Sequence, residues 1–270
     1  MELYWLQMKA QTRQPVLFIG HGSPMNAIED NDYTRTVAAL GKRLPRPEAV
    51  LCVSAHWLTE GTRVTGMAKP RTIHDFGGFP EALYQVSYPA PGSPALAALV
   101  RETVGGGEVS IDEGEWGLDH GAWSVLRHLY PKADVPVVQL GIDVGATARR
   151  HLNIGEKLRP LRDKGILILG SGNIVHNLRR ISFDEGAEPA SWAVEFDAWV
   201  KDRLEKRDFA ALSGDLDAAP SGRLAVPTPD HYDPLLYVLG AADERDAMRF
   251  EFEGIQNGSI SMRSVSFGLV

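Results

Sequence analysis

Four short apolar runs, at residues 16–20, 49–54, 135–140 and 166–170, stand far apart along the chain, and longer segments of helical period fill the intervals. Strands joined through helix-length segments can lie parallel, because a parallel pair needs a long crossover that a tight turn cannot supply. The pattern therefore predicts an α/β fold: a single domain with a mixed, mostly parallel central sheet flanked by helices. One helix is bounded at both ends, since SPALAALVRETVGGG offers Ser93 as N-cap, Pro94 at the first helical position and Gly105 as terminator. A second is predicted over about 189–206, where Trp192, Phe196, Trp199, Val200 and Leu204 share one stripe and read as core packing. Near the C-terminus, MRFEFEGIQNGSISMRSVSF reads as two alternating strands with Asn257 and Gly258 at the turn, an antiparallel hairpin that makes the sheet mixed. The Pro- and Gly-rich stretch 61–94 reads as a long connection of the kind that often serves a site.

With 270 residues the chain can build one large core, so residues 16–270 are read as one domain behind a loose extension, residues 1–15. In that extension Met8 is an alternative start, and Glu2 with its polar neighbours breaks the basic-then-apolar order of a secretory signal. The formal charge of −7 leaves no broad basic face for a phosphate backbone, which argues against nucleic acid as a partner. No window approaches the roughly 18 apolar residues that a membrane span needs, so no membrane association is expected. The single cysteine, Cys52, lies in the apolar run AVLCVS and reads as a buried thiol, which fits a reducing, cytoplasmic setting.

The eight histidines matter by position. His21, His56 and His176 each follow an apolar run by a few residues, and in open α/β sheets the crevice beyond the carboxyl ends of the strands is where ligands bind. His231 lies in TPTPDHYDP, a loop stiffened by Pro227, Pro229 and Pro234, and His120 in LDHGAW starts a further helical run. A lone loop histidine is usually a surface or hydrogen-bonded residue, but three delivered to one sheet edge point first to a metal, because neutral imidazole offers a lone pair at no charge cost. His128 and His151 fall in helical segments and read as solvated faces. His74, in RTIHDFGGFP, sits among Gly77, Gly78 and Pro80 and reads as the border of a pocket. The fragments GHGS and GSGN complete neither a phosphate-binding loop nor the G-x-S-x-G elbow of a serine hydrolase.

GHGSPMNA, SAHW, HDFGGFP, LDHGAW, GSGNIVHNL and PTPDHYDPLLYVLGA, in this order from residue 20 to 241, together resemble the class III extradiol ring-cleavage dioxygenases (LigB-like), in the branch similar to 4,5-DOPA dioxygenase. The resemblance implies that residues 16–270 form a catalytic domain that opens a catechol ring, DOPA-like in the leading case, with O2 to a muconic semialdehyde. It implies Fe(II) as the working cofactor, with Zn(II) able to occupy the same place. It implies His21, His56 and His231 as metal ligands, His176 as an acid–base group or fourth ligand, and His120 as a second acid–base group with Asp119 orienting its ring. His74 and Tyr232 are then expected at the substrate entrance. One position departs from the two-histidine, one-carboxylate set of better-known relatives, since the matching residue is His231; neighbouring Asp230 is a conceivable substitute ligand. Three other readings compete: a tetrapyrrole metal chelatase, which GHGS also suits; a zinc hydrolase, for which three histidines and a water suffice; and a non-catalytic metal-binding protein.

Overall fold

The predicted parallel strands form, and their order explains why the histidines meet. The computed structural model describes residues 12–184 and 186–269. In chain order it contains β1 (Val16–Gly20), α1 (Asp32–Arg43), β2 (Ala49–Thr59), β3 (Thr62–Thr65), α2 (Glu81–Tyr84), α3 (Pro94–Val104), β4 (Val109–Asp112), α4 (His120–Leu129), β5 (Val137–Asp143) and α5 (Ala148–Leu158). There follow β6 (Ile166–Gly172), α6 (Ser191–Glu205), α7 (Phe209–Leu212), α8 (Gly222–Ala225), α9 (Asp233–Ala241), β7 (Met248–Phe252), β8 (Ile255–Gln256), β9 (Ile260–Ser261) and β10 (Ser264–Phe267). The main sheet runs β4-β3-β5-β2-β6-β1-β10-β7. Its centre, β5-β2-β6-β1, is parallel, while β10 joins β1, β7 joins β10 and β3 joins β5 antiparallel.

The apolar runs are continuous because both sheet faces are covered. Val16, Phe18, Leu51, Val53, Ile166 and Ile168 point into a core closed by α3, α5, α6 and α9. Their alternate neighbours Leu17, Ile19, Val50, Cys52, Leu167 and Leu169 point into a second core closed by α1 and α4. Helix α3 has the predicted caps, with the Ser93 side chain accepting from Leu96 N and Gly105 at φ 125°. In α6 the stripe is buried at Phe196, Val200 and Leu204, while Trp192 and Trp199 pack partly exposed against the same core.

Three details differ from the sequence expectation. The C-terminal hairpin is split into two tiers, β7 with β10 and β8 with β9, and the interruption coincides with Arg263 turning inward to donate to Asp197. Asn257 and Gly258 do close the inner tier, both at positive φ (52° and 71°). The stretch 61–94 is not wholly irregular, since it holds β3 and α2. Of the loose extension 1–15, residues 1–11, with Met8, lie outside the described residues, and the rest is tied down: Gln14 N donates to Arg162 O (3.0 Å) and Arg162 Nε to Gln14 O (2.8 Å). No described helix is long and apolar enough to cross a membrane.

Arg162 is fully buried and paired with Asp246 through two hydrogen bonds, 2.6 and 2.9 Å. Asp246→Ala leaves that guanidinium without its carboxylate and is expected to lower stability by about 3–5 kcal/mol, read as a fall in denaturation midpoint at unchanged m-value.

Candidate metal centre

Parallel pairing of β1, β6 and β2 brings Gly20 opposite Gly172 and Ser171 opposite Ser54, so the residues that follow reach one sheet edge. His21 leaves β1 with its N–H bonded to Gly172 O (3.0 Å). His56 lies inside β2 and not past its end, at the point where pairing with β5 is interrupted between Val53 and Leu58. His231 precedes α9, and its carbonyl accepts from Asn173 N (2.8 Å). Gly172 is required there, because a Cβ would stand 2.2 Å from His231 O.

The rings of His21, His56 and His231 form a nearly equilateral triangle, with centroids 5.1, 5.3 and 5.0 Å apart. His176 stacks on His231 at 3.4 Å with planes 7° apart, and His120 lies 3.9 Å from His56. Donor atoms of His21, His56 and His120 lie within 4.8 Å of one another, as do those of His176, Asp230 and His231.

Hydrogen bonds settle where the lone pairs point. Ser171 Oγ donates to Gly121 O (2.6 Å), so towards His21 Nδ1, 3.0 Å away, it acts as an acceptor. His21 Nδ1 therefore carries the proton and Nε2 is bare. His56 Nδ1 faces Asp75 Oδ2 at 3.3 Å, and His231 Nδ1 is bonded to Asp230 Oδ2. Carboxylates accept and do not donate, so the neutral form of each of these rings too presents a bare Nε2. His56 Nε2 stands 3.2 Å from His21 Nε2. Two lone pairs so close repel, and a cation between them removes the repulsion; nitrogens each about 2.1 Å from one ion, at 90–110°, stand about 3.0–3.4 Å apart. The donor set fits a metal.

Burial, then the neighbouring His231, His120 and His176, holds His21 well below the ordinary imidazole pKa. Burial, then His120, His231 and His21, does the same to His56. Burial and His231 bring His176 down to about 3. Asp230 is raised by burial but lowered more by its bond to His231, and ends well below the usual carboxylate range. Asp75 is likewise raised by burial but lowered more by the neighbouring His120, and ends below its ordinary value.

The five histidines expected at the site are together; other assignments need correction. Asp119 does not orient His120. It caps α4 through Ala122 N and accepts from Ser54 Oγ (2.6 Å), Gln139 Nε2 (2.7 Å) and Trp116 Nε1 (3.3 Å), and burial raises its pKa. The carboxylate at His120 is Asp75, which accepts the His120 backbone N–H (2.8 Å) and places Oδ2 3.0 Å from its Nδ1. Asp230 engages the Nδ1 of His231 and so serves that ring instead of replacing it. Tyr232 does not line an entrance: it is 1% exposed, and its hydroxyl donates to Leu212 O within the core. His74 is half-buried, bonded to Val86 O (2.9 Å) and set against Trp123 and Tyr84, one residue from the group that reaches the cluster. His151 is not solvated but buried between α5 and α9, with Nδ1 2.8 Å from Tyr237 Oη and Nε2 3.4 Å from Asp233. His128 is half-buried against Asn26 O (2.8 Å). Sequence reading missed Asp75 and Ser171, although both fall inside motifs it singled out, HDFGGFP and GSGN.

A family model described as the catalytic LigB subunit of aromatic ring-opening dioxygenase matches residues 15–267. The chain is 51% identical over 262 residues, 96% of each chain, to a protein of Escherichia coli (strain K12) named 4,5-DOPA dioxygenase extradiol. It is 36% identical over 261 residues, 93% of this chain and 95% of the relative, to a protein of that name from Beta vulgaris. It is also similar to a crystal structure of an uncharacterized Escherichia coli K12 protein, with a TM-score of 0.82 and 46% identity over 95% of this chain and 100% of the other.

A Cβ on Gly121 would lie 2.5 Å from Ser54 Oγ and 2.8 Å from His56 Cδ2. Gly121→Ala is therefore expected to displace the His56 ring and lower metal affinity at least tenfold, with a stability loss of about 1–3 kcal/mol; metal titration and thermal melts read the two separately. Protons compete with a metal for bare nitrogens, and a lowered pKa moves that competition to lower pH. Bound metal is therefore expected to survive dialysis at about pH 6, where ordinary imidazole is largely protonated, and to be lost only in more acid buffer, as elemental analysis would show.

Proposed function

The chain belongs to the LigB family of aromatic ring-opening dioxygenases, and on that footing we propose that it is an extradiol dioxygenase opening a catechol ring beside its two hydroxyls, with a DOPA-like compound as substrate. The observation that carries the chemistry is the bare Nε2 pair of His21 and His56, 3.2 Å apart. With His231 as the third corner these residues would hold Fe(II). When bound, Fe(II) supplies the one-electron chemistry that lets triplet oxygen react with a singlet ring. Three neutral imidazoles add no charge of their own, which leaves the site able to accept a doubly deprotonated catechol. The same nitrogen donors also suit zinc, which has no redox chemistry to offer.

The remaining residues handle protons. His176, held neutral by burial at pH 7, has a lone pair to receive a catechol proton beside the His231 ring. His120 turns Nδ1 to Asp75, which leaves Nε2 as the atom that exchanges a proton with substrate. Positioned proton transfer of this kind contributes typically about 10²–10⁴-fold. Ser171, Asp75 and Asp230 keep the outer nitrogens occupied, so that the inner ones face the site. Relatives that carry dioxygenase in their names align over nearly the whole chain, which favours oxygen chemistry over hydrolysis, metal insertion or a vestigial pocket.

Chelator-treated protein reloaded anaerobically with Fe(II) is expected to consume oxygen and form a yellow product on exposure to DOPA and air, while zinc-loaded protein does neither. His176→Ala should lower turnover by about 10²-fold or more with metal content intact. Equal oxygen uptake by the zinc form, or loss of metal from His176→Ala, would contradict the assignment.

A further inference from the structure

Among the described residues, Asp75 is the carboxylate that reaches two rings of the cluster with a single oxygen: Oδ2 lies 3.0 Å from His120 Nδ1 and 3.3 Å from His56 Nδ1. Its other oxygen accepts the backbone N–H of His120 at 2.8 Å. The segment that carries it is anchored on both sides. Ile73 N donates to Leu118 O (2.7 Å), Ile73 O accepts from Trp123 Nε1 (2.8 Å), and Phe76 packs edge-on against His120 at 5.5 Å. Asp75 is thus held in place by the same helix, α4, whose first residue it contacts.

We propose that Asp75 is a positioning residue that fixes the tautomers of His56 and His120 together. The proposal rests on the reading of His56 as a ligand and His120 as a proton carrier given above. A carboxylate oxygen only accepts, so a proton on Nδ1 of each ring is the arrangement that avoids lone pair against lone pair. Each ring then keeps a bare Nε2: that of His56 faces His21, and that of His120 is left for proton exchange. A carboxylate oxygen carries two lone pairs, enough to face both rings, and among the described residues the buried Nδ1 of His120 has no other acceptor than this Oδ2 at 3.0 Å. The two rings therefore share one acceptor, so a change at either is felt by the other. Neither Asp119 nor Asp230 does this, since Asp119 is committed to α4, Ser54 and Gln139, and Asp230 to His231.

The test is Asp75→Asn, which keeps the shape but turns an amide donor toward one of the two Nδ1 atoms. Long-range 1H–15N spectra of metal-free, 15N-histidine-labelled protein in mildly alkaline buffer report each tautomer directly, and competition with a chromophoric chelator reports Zn(II) affinity. In the unmodified protein His56 and His120 are expected in the Nδ1–H form. In D75N at least one of them switches to Nε2–H, Zn(II) affinity falls by about 10–100-fold, and His21, held by Ser171, keeps its tautomer as an internal control. Asp75→Glu, which restores a carboxylate, should return both rings to Nδ1–H, and it serves equally if D75N does not fold: loss of Nδ1–H from both rings in D75E overturns the proposal. So does D75N with both rings still Nδ1–H and affinity within twofold. If Zn(II) leaves the His21 and His56 signals of the unmodified protein unmoved, the metal reading fails instead, and the tautomer result is judged on its own.

Discussion

Imidazoles crowded at one buried sheet edge cannot all be charged at once, and the rest of this molecule is arranged around that constraint. Each added positive charge would raise the cost of the next, and burial removes the water that would otherwise screen them. A neutral ring must still place one proton, and the protein specifies where: Ser171 for His21, Asp75 for His56 and His120, Asp230 for His231. With the protons drawn outward, the inner nitrogens form a concentration of lone pairs that a divalent cation relieves. Binding and proton transfer then use the same property of imidazole, which is two unlike nitrogens on one ring.

The layers of the fold and the gathering of the histidines at one sheet edge are readable in the chain because they rest on local patterns. Apolar runs mark β1, β2, β5 and β6, and a parallel sheet delivers whatever follows them to one edge. What escaped was the support of those rings. Asp119 was placed beside His120 because it is next to it in sequence, yet a helix N-cap turns its carboxylate back onto the N–H groups of the first turn, away from the following side chain. Asp75 comes from 45 residues earlier, in a segment with no periodicity, and nothing in composition marks it. His151 looked solvated because α5 is amphipathic, but its ring falls on the face covered by α9, where Tyr237 and Asp233 receive it. Tyr232 follows a proposed ligand and yet turns into the core, as the lead-in to the wholly buried α9 must.

Close backbone approach is the other element that the histidine pattern alone does not reveal. Gly20 abuts the backbone of Met262, Gly172 abuts His231 O, and Gly121 leaves the space that the His56 ring fills. These glycines set how near the elements carrying the rings can come. The geometry of the centre depends on absent side chains as much as on those present.

The central position of β1 also bears on how the protein comes to exist in the cell. This first described strand is paired on one side by β6, about 150 residues later, and on the other by β10, close to the end of the chain. As the polypeptide leaves the ribosome, this strand keeps one edge bare until β6 has been made and the other until β10 has. Such separated pairings make folding slow and leave nascent strands open to wrong partners. A chain that stops short of β10 therefore leaves the strand leading to His21 unpaired on one side.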